Sequence, residues 1–315
     1  MKKVFILGFF LLFMLKTAAK ETEVPKKIYI PVITKQVDTS FFQLIKSGVE
    51  QAAEVYDIET TFDGPKLGES AEVQLDLLKS VLSKKPQAII LTALDSQAAA
   101  PYLAEAKAAG IPVIGLDTGV DSPIVKTTVA TDNYSAGAFA AEKMGQLLNG
   151  KGKVGIVALD RISEEALART TGFIDTLKKN YPDIEILPPQ YDSDTVARAK
   201  EATIALLTEY PDITGLYGQG DDISTGIVEA VKALDKAGKV TIIGFDSSRT
   251  LSDAIKEGIV AGAISQDPVG MGYVAVQTAL SAYKGEILPA FIDSGFFWYD
   301  KSNIDNPEIQ PYLFE

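Results

Sequence analysis

The 315-residue chain has no cysteine and no histidine. Without cysteine there is no disulfide, thiolate metal site or cysteine nucleophile, and no lipid-modified cysteine at a mature amino terminus. The missing histidine removes the commonest general acid and base, the Ser-His-Asp triad and nearly every zinc site. Carboxylate chemistry of the glycosidase kind survives these exclusions. Positive charge is scarce as well: 30 Lys and Arg stand against 42 Asp and Glu, a formal net charge of −12. No basic run offsets this, so phosphate backbones and acidic lipids are repelled, and nucleic acid and anionic membrane are poor partners. Only one long apolar run occurs, from Val4 to Leu15. It is shorter than the roughly 20 residues needed to cross about 30 Å of hydrocarbon. With Lys2 and Lys3 before it, and Lys16 and Thr17-Ala18-Ala19 after it, it reads as a secretory signal peptide over 1–19, cleaved near Ala19. A secreted protein without a lipid anchor is expected in a periplasm, retained between two membranes.

What the chain does contain is a repeat. Pro86 to Asp117 reads PQAIILTALDSQAAAPYLAEAKAAGIPVIGLD, and Pro211 to Asp246 reads PDITGLYGQGDDISTGIVEAVKALDKAGKVTIIGFD. Each is a turn, a short apolar strand, a polar loop opening a helix, a glycine, and a second apolar strand ending in Gly-x-Asp. The repeat predicts two similar α/β lobes, for which the 46% apolar content supplies ample core. It also places Asp117 and Asp246 at the carboxyl ends of parallel strands, the edge at which open α/β sheets bind ligands.

Apolar periodicity and turn chemistry extend this alternation along the chain. Strands are expected at 28–33, 58–62, 88–92, 112–116 and 127–130, with helices at 41–56, 71–84 and 96–109. A second series follows: helix 133–148, strand 153–159, helix 164–179, strand 184–187, helix 194–209, strand 213–217, helix 222–236 and strand 240–245. Strand 260–265 and helix 270–283 come next, and the tail from Phe291 reads as a closing strand with an irregular coat. The fold class is α/β, with mostly parallel sheets covered by helices on both faces. Gly150 to Lys153 lacks the Walker spacing, and Gly215 to Gly220 lacks a third glycine at the spacing of a dinucleotide fingerprint and its acidic partner. Both are turns.

A sugar presents a ring of hydroxyls with apolar C–H faces, and its site needs carboxylates and amides at the edge and aromatic rings on a face. Asp117, Asp246, Gln266, Asp221 and Lys35 supply the polar groups, and Phe41 and Phe42 the rings. One ring is expected to point into the core and the other into the cleft. Lys35 directly follows an apolar strand, where an unpaired buried ammonium would be costly.

These residues carry a resemblance. TSFFQLIKSGVEQAA, KKPQAIILTALDSQAAAPYLAEAKAAGIPVIGLDTG, the TDN at 131–133, IIGFD at 242–246 and the glutamine of AISQDPVGMGY together resemble the periplasmic sugar-binding proteins of ABC importers, the type I group typified by ribose-binding and autoinducer-2-binding proteins. The resemblance implies two Rossmann-like lobes joined by a three-stranded hinge, with crossings near 131–132, 266–267 and 289–291. The amino-terminal lobe would hold 27–131 and 267–290, and the carboxyl-terminal lobe 132–266 and 291–315. It further implies a monomer that closes on a small sugar and is read by a membrane permease, and for some members by a chemotaxis receptor, with no catalytic residue, metal or cofactor. Residue by residue, Phe41 and Phe42 match stacking aromatics, Asp117 and Asp246 hydroxyl-binding acids, and Gln266 an amide contact beside a crossing, while Tyr191 falls near a second stacking aromatic.

Two arginines of ribose binders are absent from their aligned places, where this chain has Thr118 and Leu167, and an expected asparagine is replaced by Gly220. The implied ligand is therefore less polar than ribose: a pentose, a deoxy or substituted pentose such as methylthioribose, or a polyol. Lys35, FDGP at 62–65 and Glu165 instead resemble the autoinducer-2 branch, although Gln219-Gly220-Asp221 departs from it. A LacI-type regulator shares the expected fold but needs a helix-turn-helix ahead of the first strand and a basic face. A carboxylate glycosidase needs its two acids roughly 5–9.5 Å apart.

Overall fold

In the computed structural model, which describes residues 27–313, the apolar runs fold as two parallel sheets. The signal peptide expected at 1–19 lies outside the described residues. β1 (Val32–Ile33), β3 (Ile89–Leu91) and β4 (Val113–Leu116) are buried at every position, as suits strands covered on both faces. With β2 (Phe62–Asp63), β5 (Thr128–Ala130) and β11 (Phe291–Asp293) they form a six-stranded sheet in the order β11-β5-β4-β3-β1-β2. The second sheet takes β6 (Gly152–Val157), β7 (Ile184–Ile186), β8 (Gly215–Gly218), β9 (Thr241–Phe245), β10 (Gly262–Gln266) and β12 (Phe296–Tyr299) in the order β12-β10-β9-β8-β6-β7. Setting aside the last strand of each, the two orders are one doubly wound pattern written twice. Among the described strands only β12 runs antiparallel.

Helices α1 (Ser40–Tyr56), α2 (Ala71–Ser83) and α3 (Ser96–Ala108) cover the first sheet, and α5 (Glu164–Asn180), α6 (Val196–Glu209), α7 (Asp221–Ala233) and α8 (Arg249–Glu257) the second. Each sheet has one apolar cluster on either face. The nine-residue α8 is not among the expected helices. Its signals are short but present: Ser248 caps its start by accepting from the Leu251 N–H, and Gly258 ends it at φ 79.

The chain crosses between the sheets three times. After β5 it passes into α4 (Asn133–Leu147), which packs on α5 of the second sheet. After β10 it returns through α9 (Pro268–Tyr283), which packs on α1 of the first. The expected crossings at 131–132 and 266–267 fall where these helices begin, and the TDN and SQD stretches are their caps. The Asp132 carboxylate accepts from the Ser135 N–H at 2.9 Å and Asp267 from the Gly270 N–H at 2.7 Å. The third crossing is a correction. β11 pairs with β5 in the first sheet, so the chain changes lobes at 294–295 and not at 289–291, and residues 291–293 belong to the first lobe. There the Asp293 carboxylate accepts from the N–H groups of both Asp132 and Gly295 at 2.9 Å, tying the first crossing to the third.

The exchanged helices sit unusually close to their partners. Gly48 of α1 lies against the Val269 carbonyl and Gly272 of α9 against the Ile45 carbonyl; Gly137 of α4 lies against the Arg169 carbonyl and Gly172 of α5 against the Tyr134 carbonyl. A β-carbon at any of the four would overlap that backbone. The Gly172→Ala substitution therefore separates α4 from α5, at a cost of about 1–3 kcal/mol from overpacking. Thermal unfolding should show a melting temperature lower by several degrees; an unchanged one would mean that the two backbones do not touch there.

Candidate functional site

The carboxyl edges of the two sheets face one another across a cavity of about 350 Å³, near the lower end of the roughly 300–1,000 Å³ of small-molecule sites. The first lobe lines it with Lys35 beyond β1, Phe41 and Phe42 in the first turn of α1, and Asp117 and Thr118 beyond β4; the second with Glu165 and Arg169 of α5, Asp221 opening α7, Asp246 beyond β9, and Gln266 ending β10. Nine of the ten expected site residues thus meet in one place. Tyr191 is the exception: it packs with the apolar residues around α4 and α5, with the Arg161 guanidinium 4.1 Å from its ring centre, and does not line the cavity.

The duplicated aspartates share a backbone geometry. Asp117 has φ 57 and Asp246 φ 62, the left-handed region that aspartate tolerates better than most side chains. Each leaves its strand through an N–H bonded to a neighbouring strand, Asp117 to the Val129 carbonyl at 2.9 Å and Asp246 to the Ile264 carbonyl at 2.7 Å. The turn at Asp246 is pinned further by the Tyr299 hydroxyl, which donates to its carbonyl at 2.6 Å. Phe41 and Phe42 meet edge to face with centroids 5.4 Å apart. Phe42 is buried in the core beneath α1 while Phe41 is half-buried, the division of roles expected for the pair.

Each aspartate is held by fixed partners. Lys35 lies 3.2 Å from the Asp117 carboxylate and donates to the Thr118 hydroxyl at 3.2 Å. Gln266 donates from Nε2 to the Asp246 carboxylate at 2.8 Å, with the Arg169 guanidinium at 3.9 Å. Arg169 is itself locked: Nε donates to Asn133 Oδ1 and Nη1 to the Gln219 carbonyl, both at 2.8 Å, and the guanidinium lies 3.7 Å from the Phe245 ring centre. The Gln219 side chain ties the same elements together, its Nε2 donating to the Thr170 hydroxyl at 2.6 Å and its Oε1 accepting from the Leu159 N–H at 3.2 Å.

Arg169 corrects the expectation that the second lobe brings no guanidinium. Leu167 points away, 38% exposed and outside the cavity lining, while the next-but-one residue turns in. A sequence signal was available, because Glu165 and Arg169 are four apart on a helix and so share a face, whereas Leu167 lies on the far side.

Burial lowers the Lys35 ammonium, but the Asp117 carboxylate beside it and Glu165 across the cleft outweigh burial and the opposing Arg169, holding it above the ordinary lysine value. Burial raises the Asp246 carboxyl, with Arg169 and Gln266 opposing and Asp117 reinforcing. Burial, with Asp246 and Asp222 nearby, pushes the Asp221 carboxyl up to about 6 despite hydrogen bonds from Ser248 and Thr225. The arrangement offers fixed acceptors from both lobes, two cations and a ring face.

Two lobes carrying one cleft at the carboxyl ends of their strands, with three crossings between, define a solute-binding protein. Residues 30–287 match the family described as periplasmic binding protein domain, and the chain belongs to it. It is 25% identical over 280 residues to the D-ribose/D-allose-binding protein of Pseudomonas aeruginosa, covering 86% of this chain and 87% of that protein. It resembles the crystal structure of the sugar-binding protein of a sugar ABC transporter from Bacillus halodurans at TM-score 0.82 and 27% identity, covering 88% and 99% of the two chains. An ABC transporter solute-binding protein from Agrobacterium vitis with bound D-fucose gives TM-score 0.76 and 30% identity over 91% and 100%. These relatives are transport proteins and not enzymes. No helix among the described residues is long and apolar enough to cross a membrane.

The raised Asp221 carboxyl has a consequence for stability. A carboxyl with a higher pKa folded than unfolded binds more protons in the folded state between the two values, so its ionisation destabilises the fold as pH rises from about 4 to about 6. Asp221→Asn removes that penalty, and the ligand-free variant should be about 1–3 kcal/mol more stable than the parent near pH 7.5. The gain should vanish below about pH 4, where both carry a neutral side chain. Denaturant melts at the two pH values check this, and an equal gain at both would contradict the assignment.

Proposed function

We propose that this protein is the extracytoplasmic sugar receptor of an ABC importer, exported to the periplasm through its amino-terminal signal. It binds a small monosaccharide in the interlobe cleft: a pentose, a deoxy or substituted pentose such as methylthioribose, or a polyol. The observation that carries this reading is the pair Asp117 and Asp246, set in one backbone geometry at matching strand ends and lining one cavity. Their carboxylates accept from ligand hydroxyls, Gln266 supplies an amide, and Phe41 offers the C–H face of the sugar a ring. Hydroxyls bridging both lobes favour the closed arrangement, in which rotation about the three crossings shuts the cleft. The closed monomer is then the form that a membrane permease, and a chemotaxis receptor where one exists, distinguishes from the open one.

A second reading, an autoinducer-2-type signal binder, is favoured by the Lys35–Asp117 ion pair with Glu165 opposite. Gln219-Gly220-Asp221 in place of that branch's contact segment argues for the sugar.

A ligand near 100 times its dissociation constant stabilises the folded state by about 2.7 kcal/mol. A thermal-shift panel of pentoses, deoxy sugars, polyols, methylthioribose and autoinducer-2 should therefore single out a ligand class. Each hydrogen bond to a charged group is worth about 1.5–3 kcal/mol, so Asp117→Asn and Asp246→Asn should each weaken the best hit by roughly 10- to 100-fold, measured by calorimetry. Undiminished affinity in both variants would remove the cleft as the site, and release of product from an aryl glycoside would replace the carrier with an enzyme.

A further inference from the structure

Six ionisable side chains line the cleft: Lys35 and Arg169 are cationic, and Asp117, Glu165, Asp221 and Asp246 are acidic. Both cations are already engaged. Lys35 lies 3.2 Å from Asp117, with Glu165 reaching it across the gap, and Arg169 faces Asp246 at 3.9 Å. Asp221 stands apart. Among the described residues it forms no ion pair, and its carboxylate receives only the hydroxyls of Thr225, at 3.5 Å, and Ser248. Near it are Asp222 on its own helix, Asp246 beyond β9 and the Tyr299 hydroxyl of β12; the cations of the neighbouring elements, Arg169 of α5 and Arg249 beside Ser248 at the start of α8, each have interactions of their own.

Shutting the lobes over a ligand takes this set out of water with two more acids than bases. An uncompensated carboxylate in a dry site is strongly unfavourable, and it must either take up a proton or meet a positive charge. Anionic sugars such as phosphates and uronates make the imbalance worse. A neutral sugar supplies hydroxyl donors but no charge. An ammonium supplies three donors and one positive charge, and the carboxylate without a cation marks where it belongs.

We infer that the ligand of this cleft is an amine-bearing sugar or polyol whose ammonium seats against Asp221, at the second-lobe side and away from Lys35. This rests on the sugar-receptor reading above and names the class of ligand within it. The same geometry makes binding proton-linked. Burial already pushes the Asp221 carboxyl up to about 6, so the ammonium binds the ionised form and gains affinity as pH rises through that value.

The test is calorimetry on matched pairs: glucosamine with glucose, galactosamine with galactose, 5-amino-5-deoxyribose with ribose, and 1-amino-1-deoxyxylitol with xylitol, from about pH 5 to about pH 7.5. One charge-assisted contact predicts that the preferred amine exceeds its hydroxyl parent by roughly 10- to 100-fold near pH 7.5, with the ratio shrinking below about pH 6. Asp221→Asn should lower amine affinity by a similar factor and flatten its pH profile, while Asp221→Glu should keep both. Parents that bind as tightly as their amines near pH 7.5, or an amine profile unchanged in Asp221→Asn, would overturn the inference and leave the sugar-receptor reading standing. Binding of no member of either series would overturn the inference, and failure of the whole thermal-shift panel as well would overturn both.

Discussion

Four backbone-to-backbone contacts between helices govern how the cleft is built. α4 and α9 each leave the half of the chain that produces them and pack on the opposite lobe, and Gly48, Gly137, Gly172 and Gly272 let the paired helices meet without an intervening side chain. The partners in these pairs are α1 and α5, the two helices that present Phe41, Glu165 and Arg169 to the cleft. The contact at Gly137 is made to the carbonyl of Arg169 itself. The position of the second-lobe guanidinium is thus set by close packing as well as by its own hydrogen bonds. Because packed interiors do not deform continuously, motion between the lobes is left to the crossings, where the caps Asp132 and Asp267 and the tie through Asp293 define where each rigid element begins.

The polar groups follow the same economy. Asp246 is held from three directions, by the Gln266 amide, the Arg169 guanidinium and, through its carbonyl, Tyr299. Gln266 ends β10 immediately before the second crossing. The side chain that orients the site acid is therefore next to the segment about which the proposed closure turns. A ligand hydroxyl that competes for or extends this hydrogen-bond set alters the environment of the hinge without any longer path, which is a local way to couple occupancy to closure.

Much of this was legible in the sequence because it is written in repeats and periodicities. The doubled strand, helix and strand ending in Gly-x-Asp located both lobes and both aspartates, and period and turn chemistry located nearly all the elements. What escaped has specific causes. α8 is short enough that its period never establishes itself, leaving only the Ser248 and Gly258 caps as signals. β11 is three residues with exposed ends, and its place in the first sheet is decided by pairing with β5, a non-local contact that no local pattern encodes. Arg169 was hidden by counting along the chain where the relevant geometry is angular: two residues on a helix turn a side chain to the other face, so Leu167 and Arg169 exchange inside for outside. Tyr191 was placed by its nearness to a stacking aromatic of the resembled family, but the bridge joining Gln190 to Val157 leaves its ring beside Arg161, packed against the lobe and away from the cleft.

The same partners that suit the aspartates to the proposed binding of hydroxyls make them poor catalysts. A glycosidase needs one carboxyl free to give up its proton to a leaving oxygen and a second free to attack or to activate water. Burial does raise Asp246, as such an acid would require. Its carboxylate is nevertheless already engaged by Gln266, and a charged arginine lies behind it. Asp117 is tied to Lys35 at 3.2 Å, and so is not free to attack a sugar carbon. Carboxylates immobilised by hydrogen-bond donors and cations gain affinity for hydroxyls without reorganising, and preorganisation of that kind lowers the free energy of the bound ground state as much as that of any transition state. Uniform stabilisation of this kind holds a molecule tightly and does not transform it, which is what a protein that must hand over its ligand intact requires.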